Sequence, residues 1–100
     1  MITTQELIDL IIEGIQEKKG HRVSIADLSD IPSAPAEAFV ICTGNNPAQV
    51  DSIVDSIENA TGVKGKEHPT AIAGRQNSVW VAMDYGNVMV HVFVPDMREY

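Results

Sequence analysis

Residues 78–94 read Ser-Val-Trp-Val-Ala-Met-Asp-Tyr-Gly-Asn-Val-Met-Val-His-Val-Phe-Val. Two strand-like runs, Ser78–Asp84 and Val88–Val94, are hinged at Tyr85-Gly86-Asn87, which predicts a tight β-hairpin. The strand period of two sorts these side chains onto two faces. Val79, Val81 and Met83 join Val88, Val90 and Val92 on a uniformly aliphatic face that reads as core. Trp80, Ala82 and Asp84 join Met89, His91 and Phe93 on a face that mixes aromatic, sulfur, imidazole and carboxylate groups. With Tyr85-Gly86 as a two-residue loop, Trp80 lies opposite His91, Ala82 opposite Met89 and Asp84 opposite Asn87. A slip in the turn would change that pairing. Trp is enriched at protein interfaces. The mixed face is therefore either a pair covered by a helix or an anchor for a partner, and the pattern alone does not decide between them.

Outward from the hairpin, helices and strands are interleaved. Thr3 and Glu6 fit a capping box at the start of a helix whose buried stripe is Leu7, Ile8, Ile11, Ile12 and Ile15. Lys18 and Lys19 complement its negative end, and Gly20 stops it. A short strand is expected near Arg22–Leu28, then a loop over Ser29–Pro35. Phe39–Thr43 is an apolar run read as a buried strand. Asn46 and Pro47 open a second helix, with Val50, Ile53, Val54 and Ile57 inward and Thr61-Gly62 at its end. Residues 63–77 are polar and read as a loop with one short strand. Pro95-Asp96 begins a turn or a final helix. The order α-β-β-α-β-β with a helical stub implies an α+β domain with a mixed sheet.

The chain has 100 residues and a formal charge of −7. That length supports a single core, so residues 1–100 are expected to form one domain. No apolar run is long enough to span a membrane, and the N-terminus has no signal or transit pattern. The lone Cys42 excludes an internal disulfide and suits a reducing compartment, which points to the cytoplasm. Residues 1–60 hold ten acids and three bases, and 23–63 hold six acids with no Lys or Arg. Such a surface repels a phosphate backbone. Acidity of this kind either keeps a small protein soluble or steers it to a basic protein.

A search for chemistry is short. Neither glycine-rich phosphate fingerprint is present. Thr43-Gly44-Asn45-Asn46 could hold an anion at a helix N-terminus, although a turn plus a cap is the simpler reading. His21, His68 and His91 lack metal-pair spacing, and no carboxylate pair stands out. A Cys42–His91–Asp84 triad is disfavoured, because Cys42 sits in an apolar run where thiols are buried and inert. No cofactor and no enzymatic activity are expected.

The block Trp80-Val81-Ala82-Met83-Asp84-Tyr85-Gly86-Asn87-Val88-Met89-Val90-His91 resembles the signature of the ribosomal silencing factor (Iojap) family. Upstream, Val40-Ile41-Cys42-Thr43-Gly44 resembles the family's Val-Ile-x-Thr-Gly strand end, and Arg98 falls where the family places an Arg. Asn87 stands where the family usually has Asp, Asn46 and Ala48 replace a Ser and an Arg, and Ala73 replaces a Glu. The family's C-terminal tail would begin just after Tyr100, so the sequence reads as lacking it. The resemblance implies a mixed sheet of about five strands flanked by helices, similar to the nucleotidyltransferase fold but without its paired magnesium ligands. It implies binding to the large ribosomal subunit through its basic L-fourteen protein, steric block of small-subunit joining, and homodimers when free. On that implication Trp80, Asp84, Tyr85 and His91 are the expected docking residues. A generic dimeric interaction module is the alternative, with a metal-dependent nucleotidyltransferase behind it.

Overall fold

Thr3 opens the first helix by exchanging two hydrogen bonds with Glu6. Its hydroxyl accepts from the Glu6 N–H at 3.0 Å, and the Glu6 carboxylate accepts from the Thr3 N–H at 2.9 Å. The computed structural model describes residues 1–98. Helix α1 runs Thr4–Glu17 and buries Leu7, Ile8, Ile11 and Ile15. Helix α2 runs Pro47–Gly65, capped by Asn46, whose side-chain oxygen accepts from the Gln49 N–H at 2.9 Å. It continues past Thr61-Gly62, where the sequence suggested an end. Thr61 does not break the helix because its hydroxyl donates back to the Ile57 carbonyl at 3.0 Å. Gly62 leaves room for the ring of His68, which a Cβ would meet at 2.9 Å. Lys66, with φ of 56°, supplies the left-handed cap instead.

Five strands form one mixed sheet in the order β1-β2-β5-β4-β3. They are β1 (His21–Asp27), β2 (Ala38–Thr43), β3 (Ala71–Ala73), β4 (Trp80–Asp84) and β5 (Val88–Phe93), followed by the helical turn α3 (Pro95–Arg98). β2 pairs with β5 in parallel, and every other pairing is antiparallel. The edge strand β1 is interrupted: its register shifts between His21 and Ser24, and Arg22 adopts a φ of 51°.

The hairpin register differs from the expected one by two residues. Trp80 lies opposite Phe93, Ala82 opposite His91 and Asp84 opposite Met89. The Tyr85 N–H donates to the Val88 carbonyl at 2.9 Å, so the loop is Gly86-Asn87 rather than Tyr85-Gly86. The glycine moves into the first loop position because the backbone there turns to a φ of 87°, which only glycine adopts freely. A shift of two preserves the parity, so each residue keeps the face assigned from its alternation.

The core lies between one face of the sheet and the two helices. Val81, Met83, Val88, Val90 and Val92 join Ala38, Val40 and Cys42 beneath the stripes of α1 and α2 in a single buried cluster. The helices approach closely at Gly14, where a Cβ would sit 2.7 Å from the Ile57 Cα. The Ser56 hydroxyl donates to the Gly14 carbonyl at 2.8 Å at the same crossing. Arg75, from the β3–β4 loop, donates to Asp51, Asp55 and Glu58 on α2 at 2.6, 2.7 and 3.2 Å. These pairs are partly exposed and contribute at most about 1 kcal/mol each. Among the described residues, no helix is long and apolar enough to cross a membrane.

A Gly14→Val substitution is expected to force the helices apart. It should cost about 1–3 kcal/mol, as overpacking does, and thermal unfolding would register the loss as a lowered Tm. Gly86→Ala, with nothing within 4 Å of the added Cβ, would cost only its backbone strain.

Candidate functional site

The face of the sheet turned away from the helices carries the side chains singled out by alternation. β4 contributes Trp80, Ala82 and Asp84, β5 contributes Met89, His91 and Phe93, and the paired register places Phe39 and Ile41 of β2 beside them. Trp80 remains 47% exposed. Among the described residues α1 and α2 both pack on the other face, so neither covers the pair as one of the two readings of the sequence had it.

Rings organise this surface. Phe39 meets His91 edge-on at 5.5 Å, Trp80 stacks on Phe93 at 5.3 Å, and His91 stacks on Phe93 at 6.0 Å. The Trp80 indole N–H donates to His91 Nδ1 at 3.1 Å. Burial among these rings lowers the His91 pKa from its usual value, which favours a neutral imidazole. Beside Trp80 and Phe93, Met97 and Arg98 complete an apolar groove of about 480 Å³. Arg98 is held there by the Thr43 hydroxyl at 2.9 Å and by the Arg22 carbonyl.

Asp84 plays two parts. Its Oδ1 accepts from the Gly86 N–H at 2.7 Å, which braces the hairpin turn. By register its side chain belongs to the open face, opposite Met89 and beside Ala71. Tyr85 does not join the other three expected docking residues. It packs against the core cluster, and its hydroxyl lies 2.9 Å from the Thr61 hydroxyl on α2. Burial pushes its pKa up to about 12. The open face therefore gathers Trp80, Asp84 and His91 and leaves Tyr85 behind the sheet.

Sequence reasoning missed Phe39 and Ile41, because an apolar run reads as buried on both sides. No sequence period marked them, since Ala38–Cys42 is apolar throughout; only burial separates the covered Ala38, Val40 and Cys42 from the partly covered Phe39 and Ile41. Met97 was missed for lack of any pattern in so short a helix.

The catalytic alternatives find little support in this geometry. Cys42 is buried on the helix side, with its pKa pushed up to about 12 by burial, whereas His91 and Asp84 lie on the opposite face. The sheet separates the members of that triad. At the start of α2 the Gly44 N–H donates to the Phe93 carbonyl at 2.8 Å and the Asn45 N–H to the Gln49 side chain at 2.6 Å. Those amides are spent internally. Among the described residues, no three His, Cys, Asp or Glu side chains gather as a metal site.

The family model described as Ribosomal silencing factor during starvation matches residues 1–100. The chain belongs to the ribosomal silencing factor family. It is 33% identical over 99 residues to the ribosomal silencing factor of Halalkalibacterium halodurans, covering 99% of this chain and 83% of that one. The Chromobacterium violaceum silencing factor is 32% identical over 99 residues, covering 96% and 77%. A Chromobacterium violaceum crystal structure superposes with a TM-score of 0.92 at 27% identity, covering 99% of this chain and 81% of that one. A Bacillus halodurans crystal structure superposes at 0.85 with 31% identity, covering 97% and 89%. Membership brings with it a ribosome-associated role in translational silencing, and silencing factors are not a known enzyme family.

Ionisation of Tyr85 tests its placement. The buried phenol is held neutral to about pH 12, above the ordinary value near 10. The stability this gives is complete below the unfolded value and is lost as pH rises through the folded one. An ultraviolet difference titration of wild type against Tyr85→Phe should show the extra phenol ionising late. The variant itself should lose about 0.5–1.5 kcal/mol of stability with its hydrogen bond to Thr61.

Proposed function

We propose that the protein silences translation by docking its open sheet face on the large ribosomal subunit, through the basic L-fourteen protein, where its bulk blocks joining of the small subunit. The observation that carries this reading is a half-exposed tryptophan in an apolar, ring-lined face on a chain of this family. Monomeric soluble proteins rarely leave such surfaces uncovered unless a partner meets them. Trp80 supplies the apolar anchor, His91 its neighbour, and Asp84 the charge that pairs with a Lys or Arg of the partner. Tyr85 contributes from behind by fixing the hairpin against α2. No catalytic step is required, since exclusion needs only a rigid body.

Charge supports the choice of partner in a particular way. Glu6, Asp9, Glu13, Glu17, Asp51, Asp55 and Glu58 ride on α1 and α2, the layer opposite the open face. That layer favours approach to a basic partner only through the net charge of −7. It does not itself turn the open face toward the partner, and the contact made there is apolar with a single carboxylate. The same reading places the protein in the cytoplasm and has it pair as a homodimer when no subunit is bound.

Co-sedimentation with isolated large subunits, run beside a subunit-joining assay, tests the proposal. Wild type should pellet with the subunits and suppress joining. Trp80→Ala should weaken binding by at least about 2 kcal/mol, as loss of an interface anchor does. Asp84→Asn keeps an acceptor for the Gly86 N–H while removing the charge, so its loss of binding should come without loss of fold. A folded wild-type protein that neither pellets nor blocks joining would sink the reading. It would leave the generic dimeric module, visible as self-association alone.

A further inference from the structure

The contact between Trp80 and His91 fixes more than a distance. An indole N–H can only donate, so His91 Nδ1, 3.1 Å away, must be an unprotonated acceptor. The single ring hydrogen of a neutral imidazole then sits on Nε2. Among the described residues Nε2 has no hydrogen-bond partner, and it is not sealed from solvent. The face thus offers one polar donor at its centre, surrounded by Phe39, Ile41, Ala82 and Phe93.

We propose that His91, in its neutral Nε2–H form, is the positioning residue of the docking face: it holds the Trp80 indole for the partner, offers Nε2–H to a partner carbonyl oxygen, and lets the indole go when protonated. This rests on the docking reading above. Protonation puts a hydrogen on Nδ1, so two donors face each other and the Trp80 bond is lost. It also places a charge among apolar rings with little to compensate it. Few charged groups are near enough to alter that balance. From β4 the open face presents Asp84, two residues along from Ala82. From α3 comes Arg98, at the Trp80–Phe93 groove, whereas Asp96 lines a separate hollow with Asn45, Asn46 and Val79. The β2 and β5 residues on this face add no titratable group besides His91. The burial that lowers the His91 pKa sets the direction. The neutral lock is intact above the ordinary value of 6.5 and is lost as pH falls through the lower folded value.

Trp80 is the only tryptophan, so its fluorescence reads the lock directly in the full chain without any ribosome. Wild type, His91→Asn and His91→Leu would be titrated from about pH 8 to about pH 5, spanning the imidazole range. Asn keeps an acceptor near the δ position but cannot titrate, and Leu removes the acceptor. Wild type should show one acid step with a midpoint below 6.5, the ordinary value, and both variants should be flat. Co-sedimentation with large subunits at the two pH extremes should show wild-type affinity falling about tenfold in acid relative to the Asn variant. Asn should retain more neutral-pH binding than Leu. The same fluorescence step in His91→Asn, or the same pH dependence of binding in both proteins, overturns the proposal and leaves docking intact. A His91-dependent fluorescence step with no sedimentation at either pH overturns the docking reading and the binding half of this proposal with it.

Discussion

Everything in this fold depends on the two-residue period of the β4–β5 hairpin. Side chains on a strand must alternate, so each residue commits irrevocably to one side of the sheet. Here one side is nearly pure valine and methionine, and both helices settle on it. That choice leaves the other side free of α1 and α2, with its tryptophan, histidine and phenylalanine forced into one another's company. The turn enforces the arrangement: Gly86 takes the left-handed conformation, and Asp84 grips its amide. A slip of one residue would bury the rings and expose the valines, at a cost of several buried aliphatic side chains of about 1.5–3 kcal/mol each.

The helices contribute to function mainly by staying on one side. Gly14 allows α1 and α2 to approach over Ile57, and Gln49 ties the start of α2 to the Lys18 and Lys19 carbonyls at the end of α1. The pair acts as one slab behind the sheet. Seven of the chain's fourteen acids ride on that slab, three of them paired with Arg75.

Much of this was legible in the sequence because it is local. The capping box at Thr3, the Asn46-Pro47 start and the alternation of Val79–Val94 are decided by neighbours within a few residues. What escaped was decided by residues far apart in the chain. The two-residue offset of the hairpin arose because the glycine, not the tyrosine, takes the strained loop position, and Tyr85 was needed by Thr61 on α2. The extension of α2 by a turn ends in the left-handed Lys66, with His68 folded back over Gly62. The role of Phe39 and Ile41 became visible only once β2 was placed beside β5. Their apolar character was plain, but no sequence period says which side of a central strand the helices will leave open.

The broken edge strand carries a consequence for life at high concentration. An open sheet ending in a straight edge strand is the geometry from which cross-β stacks grow. In β1 the register shift after His21 and the left-handed turn at Arg22 interrupt the ladder that an incoming strand would need to copy. Val23 and Ile25 stay exposed there, yet the backbone around them cannot serve as a straight template. The kink makes the outer rim of β1 a poor template on which a strand of another copy could extend the sheet.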